Sequence, residues 1–236
     1  MFDLFTDEDE ERAKTKRING IVSGIVTNNK DDEGLYRVKV KFPWLTKESE
    51  GDWAKVMSFM AGKERGGFFL PEVGDEVLVA FEHGDINYPY VIGSLWNSED
   101  KPPETNSDGK NNIRKITSRS GHEIIFNDDD GAKKEKIEIH TNAGHKVVLD
   151  DSAGKEKIEI IDKTGNNLIT IDSANDSIEI TSNKDIKLSA SNGKISLDAM
   201  EIEVKSSADT KIESGANADL KASGNTTLKG AMVMIN

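Results

Sequence analysis

Hydrophobic and polar residues alternate in short runs between residues 18 and 97. The clearest run is Tyr36-Arg-Val-Lys-Val-Lys-Phe42, in which every second side chain is apolar. A period of two is typical of a β-strand that buries one face. The β-branched and aromatic runs, bounded by Gly, Asn and Asp, predict five strands, at 18–26, 36–42, 53–58, 76–82 and 90–96.

Five short strands in this space predict a small closed β-barrel. The OB fold is a five-stranded Greek-key barrel of this size, and closure removes strand edges that would otherwise pair with other chains. The glycine-rich segment Ala61–Gly67, between the third and fourth predicted strands, is expected to be a flexible loop. Its Gly-Lys pair lacks the spacing and the following helix of a phosphate-binding loop.

A repeated pattern follows the predicted barrel. Gly121-His-Glu-Ile-Ile-Phe-Asn-Asp128 recurs as Gly144-His-Lys-Val-Val-Leu-Asp-Asp151 and, more loosely, as Gly165-Asn-Asn-Leu-Ile-Thr-Ile-Asp172. Each copy precedes a short alternating segment, at 136–139, 157–160 and 177–180. Such repeats predict a stack of similar strand-and-turn units.

Beyond residue 180 the period shortens to about eight residues, with one aliphatic pair and one polar corner in each unit. One such face buries little surface at ~25 cal/mol per Å², against an ordering cost of roughly 1–2 kcal/mol per residue. Three chains wound about one axis would bring three apolar faces together and pair their strand edges. We therefore expect an intertwined homotrimeric β-prism (β-helix) needle, with a trimer core of Ile178, Ile180, Ile186, Leu188, Ile195, Leu197, Ile202 and Val204.

The two halves of the chain differ in composition. Phe126 is the last aromatic residue and Pro103 is the last proline. Paired prolines and polar turn formers in residues 98–112 indicate an extended linker. The expected organisation is a flexible acidic segment at 1–17, an OB-fold domain at 18–97, the linker at 98–112 and the trimeric β-prism at 113–236.

Charge and cysteine content narrow the possible partners and chemistry. The net charge of -12 opposes binding to nucleic acid and to anionic lipid. With no cysteine, the chain has neither disulfides nor a Cys-based zinc site. Residues 1–11 lack the basic flank and apolar run of a secretory signal, so synthesis in the cytoplasm is expected.

The predicted barrel carries an ordered set of five motifs, which are Val22–Thr27, Gly34–Trp44, Trp53–Val56, Pro71–Asp85 and Pro89–Asn97. Together they resemble the corresponding motifs of the VgrG and phage baseplate spike proteins. The Gly-His repeats and the eight-residue units resemble the β-prism of the same proteins. The resemblance implies a structural, non-enzymatic central spike of a contractile injection system, driven mechanically through the target envelope when the sheath contracts.

The resemblance also implies partners and a location. The short stretch before the barrel is similar to the short, spike-only type, whose hub and inner-tube proteins are separate. Assembly into the baseplate of a phage tail-like or injection particle, which can be released, is expected. The target membrane would be contacted only mechanically, and no cofactor is implied.

Two segments are expected to contact other proteins. Phe2, Leu4 and Phe5 precede an acidic run and are expected to meet the hub. Near the other terminus, an apolar seat is expected for a small PAAR-repeat tip protein, which the family resemblance implies. The seat residues are Met232, Val233, Met234 and Ile235.

Other sequence features favour structural roles over chemistry. Glu72, Asp75 and Glu76 surround Gly74, as in a polar turn before a strand. His122 and His145 follow turn glycines and could ligate a metal on a threefold axis, but corner hydrogen bonding is the favoured interpretation. The acidic run 128–130 lacks the alternating acids of a calcium loop and is interpreted as a solvated turn.

The alternative function is an OB-fold saccharide-binding module on a β-solenoid stalk. OB folds bind sugars and single strands through aromatic side chains. The available residues are Trp44, Trp53, Phe68, Phe69 and Trp96. Packing of the barrel and of its trimer contact is the favoured role for them.

Overall fold

The computed structural model describes residues 17–45, 50–131 and 133–234. The fold is all-β, as the alternating pattern predicted, with one short 3-10 turn at Glu82–Gly84. Within the described ranges, no helix has the length and apolar character needed to cross a membrane.

Residues 21–95 contain seven strands, five of which form a barrel. The strands are β1 (Ile21–Asn28), β2 (Arg37–Lys41), β3 (Ala54–Val56), β4 (Ala61–Gly62), β5 (Arg65–Gly66), β6 (Glu76–Phe81) and β7 (Pro89–Leu95). The barrel closes in the order β1-β2-β3-β7-β6, with β6 paired back to β1. All pairs are antiparallel except β3 and β7, where Lys55 lies opposite Tyr90. The predicted closed five-stranded barrel is confirmed.

Alternate residues of the five strands fill the barrel. In β2 the buried side chains are Val38 and Val40, and the charged residues between them stay nearer the surface. The same period of two places Val77, Val79 and Phe81 of β6 inside. The buried core is Val26, Val38, Val40, Phe42, Ala54, Val77, Val79, Phe81 and Val91.

Backbone conformation explains two differences from the predicted strand limits. Tyr36 has a φ of 60°, in the left-handed region, so β2 starts one residue later than predicted. The Ile18 N–H donates to the carbonyl oxygen of Gly84 (2.8 Å), outside the β1 ladder, and β1 begins at Ile21.

The segment expected to be a flexible loop instead forms a β-hairpin. Strands β4 and β5 pair antiparallel, and Gly66 reaches a φ of 147° that few other residues adopt. The hydroxyl oxygen of Ser58 lies 2.9 Å from the carbonyl oxygen of Met60 and 2.8 Å from that of Gly67, so the hydroxyl can donate to either one. These bonds anchor the base of the hairpin to the end of β3.

Residues 113–181 form one antiparallel meander of seven five-residue strands. They are β8 (Ile113–Thr117), β9 (Glu123–Asn127), β10 (Lys136–His140), β11 (Lys146–Asp150), β12 (Lys157–Ile161), β13 (Leu168–Asp172) and β14 (Ser177–Thr181). Each strand pairs with the next along the chain, so β8 and β14 are the two edges. The Gly-containing repeats supply the turns that begin at Ser118, Thr141 and Asp162.

Residues 184–236 form a second compact unit. Its described residues contain no strand, and Gly193 N–H to Ala190 O (3.3 Å) is the one backbone–backbone hydrogen bond recorded among residues 185–234. Two corners eight residues apart are alike. The Ser206 hydroxyl donates to the carbonyl oxygen of Asp209 (3.0 Å), and the Ser214 hydroxyl donates to that of Asn217 (2.9 Å).

Candidate assembly interface

One face of the seven-stranded meander carries two continuous rows of apolar side chains. The strand register places these residues opposite one another from edge to edge. The first row is Ile116, Ile124, Ile139, Val147, Ile160, Ile169 and Ile180. The second row, which starts after Arg114 of β8, is Phe126, Ile137, Leu149, Ile158, Ile171 and Ile178. We call these two rows together the apolar face.

The apolar face is open to solvent in the single chain. Ile169 and Ile171, at the middle of their strands, each expose 39% of their surface, and Ile178 exposes 70%. A groove here is lined by five members of the first row, among them Ile139, Ile160 and Ile180, together with residues at the ends of the strands and in the adjoining turns. A contiguous patch of aliphatic side chains this large marks a contact surface.

On the opposite face of the meander, several charged side chains pair with one another within the chain. Lys115 Nζ lies 2.8 Å from Glu123 Oε1, and Lys157 Nζ lies 3.0 Å from Glu159 Oε1. The hydrogen bond from Lys115 holds the pKa of Glu123 below its usual range. These side chains are half-buried among their neighbours, so the charges of these two pairs are satisfied within the chain.

Three turns along one edge of the meander share one hydrogen-bonding plan. In the first, the N–H of Gly121 donates to Ser118 O (2.8 Å), and the N–H of His122 donates to the Ser118 hydroxyl oxygen (3.0 Å). Thr141 plays the part of Ser118 in the second turn, with 2.9 and 3.0 Å bonds from Gly144 and His145. In the third turn Asp162 is the acceptor: its carbonyl oxygen accepts from the N–H of Gly165 (2.9 Å), and its Oδ1 accepts from the N–H of Asn167 (3.1 Å).

Histidine side chains tie each of these turns to the next. His122 Nδ1 accepts from the N–H of Asn142 (3.2 Å), and His145 Nδ1 accepts from the N–H of Lys163 (3.1 Å). Both histidines therefore make the corner hydrogen bonds expected of them. In the part of the chain that the structure describes, no three His, Asp or Glu side chains gather as metal ligands.

The third turn corrects one residue assignment. The sequence repeat aligns Asn166 with the two histidines, but Asn167 is the residue that bonds to the following turn. Its Oδ1 accepts from the N–H of Asn183 (3.2 Å) and from the Ser182 hydroxyl (3.0 Å). This turn is one residue longer than the others, since β13 begins three residues after Gly165, whereas β9 begins two residues after Gly121.

The trimer-core residues proposed from the sequence fall in two places. Ile178 and Ile180 are the β14 members of the apolar face, opposite Ile171 and Ile169. The remaining six lie in the second unit, where each exposes between 53% and 76% of its surface. They are Ile186, Leu188, Ile195, Leu197, Ile202 and Val204.

The residues proposed for partner binding are only partly described. Met232, Val233 and Met234 are exposed, and Ile235 lies outside the described residues. Phe2, Leu4 and Phe5 also lie outside the described residues.

The aromatic residues proposed as barrel or ligand contacts divide by environment. Trp53 is covered by Arg37 and Lys39, whose cationic groups lie 5.7 and 5.6 Å from the ring centroid. Phe68 and Phe69 flank the end of the β4–β5 hairpin and are exposed, as are Trp44 and Trp96. Phe59 joins Phe69 there, with 6.2 Å between the ring centroids, and no pattern in the sequence indicates this contact.

The acidic cluster around Gly74 is a structural turn. The Glu72 N–H donates to Asp75 Oδ2 (2.8 Å), and Glu76 Oε2 accepts from Asn97 Nδ2 (3.1 Å). Arg119 of the first meander turn lies 2.7 Å from Glu72 Oε2. Each carboxylate therefore has a hydrogen-bond or ion-pair partner that accounts for its position, and no catalytic role is needed to explain it.

Comparison with known proteins identifies the barrel. Residues 22–96 match the family described as the type VI secretion system/phage-baseplate injector OB domain. The type VI secretion system spike protein VgrG5 of Pseudomonas aeruginosa is 37% identical over 110 residues, which cover 38% of this chain and 14% of that protein. The barrel is therefore an injector OB domain of this family, and the chain is similar to VgrG spike proteins over the matched residues.

Two further VgrG proteins are similar to this chain over stretches of comparable length. The spike protein VgrG4b of Pseudomonas aeruginosa is 34% identical over 135 residues, covering 47% of this chain and 16% of that protein. The actin cross-linking toxin VgrG1 of Vibrio cholerae is 31% identical over 118 residues, which cover 47% of this chain and 10% of that protein. The match thus spans between 10% and 16% of the length of these three VgrG relatives.

Proposed function

We propose that this chain forms the homotrimeric central spike of a contractile injection baseplate and acts mechanically. The observation that carries the proposal is the apolar face, whose two aliphatic rows have no cover within the described chain. Three copies that turn these faces toward a common axis would remove them from water. The polar face, with its internal ion pairs, would then form the outer surface.

The proposed role needs stiffness and no catalytic group. The seven strands are paired, and their turns are joined by side-chain hydrogen bonds. Such a sheet resists shear because many hydrogen bonds must break together. Sheath contraction would deliver force along the spike, and the spike would pass that force to the target envelope, which it contacts only mechanically. Assembly takes place in a phage tail-like or injection particle, which can be released.

Solution mass tests the trimer. Light scattering should give about three times the 25.9 kDa chain mass. Ile169→Lys and Thr170→Lys form a matched pair, since these neighbours point to opposite faces of β13. Ile169→Lys should prevent trimer formation by burying a charge, whereas Thr170→Lys, between Glu159 and Glu179, should leave the trimer intact. A monomeric wild-type protein, or a trimeric Ile169→Lys variant, would contradict the proposal.

The exposed residues Met232, Val233 and Met234, together with Ile235, are proposed as the seat of a PAAR-repeat tip protein. Four apolar side chains per subunit would bind mostly through the hydrophobic effect. Replacing Met232 and Met234 with Ser should weaken capture of the tip protein at least tenfold, with the trimer unchanged. Lys229→Ser is the control, and equal capture by the methionine variant would place the tip protein elsewhere.

A second proposed contact joins Phe2, Leu4 and Phe5 to a separate hub or inner-tube protein of the baseplate. Buried aromatic anchors carry much of the binding energy at many protein interfaces. Replacing Phe2 and Phe5 with Ser should reduce hub co-purification and leave the trimer mass unchanged. Undiminished hub binding would remove this contact from the proposal.

A further inference from the structure

The β4–β5 hairpin carries an exposed apolar patch at its base. Phe59 exposes 79%, Phe68 76% and Phe69 61% of its surface, and Met57 and Met60 are also exposed. We call these five residues the hairpin patch. Gly67 leaves room for the Phe59 ring, since a Cβ at this position would collide with it.

The hairpin patch is large enough to form one side of a protein contact. An aromatic side chain can bury about 150–250 Å², so the three phenylalanines leave roughly 400 Å² open. The two methionines bring the exposed apolar area to roughly 650 Å², against about 800 Å² per partner in an interface of standard size. A patch of this size marks a binding surface.

Basic residues lie at the tip of the same hairpin. Lys63 and Glu64 form the turn between β4 and β5, and Arg65 begins β5. Neither Lys63 nor Arg65 makes an ion pair with another residue in the described ranges. A surface that fits this hairpin should therefore combine carboxylates with apolar or aromatic side chains.

Such a surface lies at the end of β7. A pocket of about 550 Å³ has Leu95 and Trp96 as its apolar lining, and Trp96 is exposed. We call it the Trp96 pocket. Lys101 is the one basic residue of the lining. The carboxylates of the lining are Asp75, Glu76, Glu99 and Asp100.

Two of these carboxylates are available for a partner. The N–H groups of Glu99 and Asp100 both donate to Asn97 Oδ1 at 2.8 Å, which fixes the backbone of this turn. Their carboxylates make no ion pair with any residue that the structure describes. The Trp96 pocket thus has the charge that the hairpin tip lacks.

The hairpin and the Trp96 pocket lie at the same end of the barrel. β3 and β7 are parallel, with Lys55 opposite Tyr90, so both strands run toward this end. The hairpin follows β3, and Trp96 follows β7. Copies related by rotation alone are not shifted along their common axis, so surfaces at one end of the barrel can meet between neighbours.

We propose that the β4–β5 hairpin of each copy docks in the Trp96 pocket of the next copy. The Phe59 and Phe69 rings would pack against Trp96. The two tip cations would pair with Glu99 and Asp100. The contact is head to tail, so three copies close a ring in which every hairpin and every pocket is used. The inference rests on the proposed trimer and adds a contact between barrels to the contact between apolar faces.

Cross-linking of engineered cysteines tests the contact. The chain has no native cysteine, so Ala61→Cys in β4 and Ser98→Cys beside the pocket supply the only thiols and change no charge. A short bismaleimide should join the double variant into species of two and three chains on denaturing electrophoresis. Each single variant should remain at one chain, because a head-to-tail contact pairs unlike residues.

Charge reversal tests the proposed pairing in the same double-cysteine protein. Lys63→Glu with Arg65→Glu should lower the yield of joined chains at least threefold. Adding Glu99→Lys and Asp100→Lys should restore it, because the two charges are then exchanged between the surfaces.

The control changes the net charge equally at exposed lysines elsewhere. Lys110→Glu with Lys155→Glu should leave the cross-link yield unchanged, and an equal loss would show that net charge alone is responsible. No joined chains in a double variant whose mass is that of a trimer, or no recovery on charge exchange, would overturn the docking and leave the trimer standing.

Other occupants of the hairpin patch give different results. Joined chains from Ala61→Cys alone would show that the hairpins meet one another. Phe59→Ser with Phe69→Ser should lower the cross-link yield at least threefold. If this change instead reduced hub co-purification and left the yield unaltered, the patch would bind the hub and the proposal would be wrong. A monomeric wild-type protein would refute both the docking and the trimer.

Discussion

His145 Nδ1 accepts a hydrogen bond from the backbone N–H of Lys163 at 3.1 Å, which joins two successive turns of the meander. The same bond recurs between His122 and Asn142, and Asn167 makes its counterpart to Asn183. One acceptor thus satisfies one turn N–H at each step along this edge. Such repeated bonds hold the hairpins in a fixed alignment with one another.

Removing this acceptor should destabilise the meander. We expect His145→Ala to lower the free energy of unfolding by about 0.5–1.5 kcal/mol per chain, the net worth of one such hydrogen bond. His145→Asn should recover part of this loss, because Asn167 already performs the same task. Thermal unfolding of the three proteins checks the order, and equal losses in both variants would show that the side-chain acceptor is unimportant.

Gly24 is a residue of β1 where any side chain would clash with β2. A Cβ there would press on Val40 and would lie 3.1 Å from both Lys41 O and Phe42 Cδ1. Gly24→Ala should destabilise the barrel by about 1–3 kcal/mol through overpacking. Gly93→Ala in β7 is the matched control, since its Cβ would meet nothing within 4 Å.

Urea unfolding followed by tryptophan fluorescence measures this difference, because all three tryptophans, Trp44, Trp53 and Trp96, lie in or next to the barrel. A midpoint for Gly24→Ala no lower than that of Gly93→Ala would refute the close approach of β1 and β2 at this point.

Asp162 should make the third turn sensitive to acid. Burial disfavours its charge, but hydrogen bonds from Asn167 and Thr164 outweigh that effect and lower the pKa to about 2 from 3.8. A lowered pKa in the folded state means that the contribution to stability is complete above about pH 4 and is lost as pH falls toward 2.

Asp162→Ser tests this dependence, because serine is the acceptor in the equivalent position of the first turn. Between pH 4 and pH 2 the melting temperature of the wild-type protein should fall more steeply than that of the variant. Parallel curves over this interval would mean that Asp162 does not couple protonation to folding.

The sequence predicted the barrel well because its strands follow a strict period of two. Val38 and Val40 are buried as the alternation around them requires. The start of β2 could not be placed to the residue, since the left-handed backbone of Tyr36 leaves no trace in the pattern. The β4–β5 hairpin was missed because two-residue strands rich in glycine have no apolar period.

The candidate interface was predicted in part. The isoleucines of β14 were identified from the pattern, but the apolar face begins as early as Ile116, which stands outside the Gly-His repeat. The longer third turn hid the role of Asn167, because a one-residue insertion displaces every later position of an alignment.

The connection between turns gives the meander a modular length. Each hairpin brings two members of each apolar row, together with its own acceptor for the next turn. A hairpin gained or lost by duplication or deletion would therefore change the reach of the stack by roughly 9–10 Å, two strand spacings, and would keep its cross-section. Meanders of different lengths can arise in this way from one repeated unit.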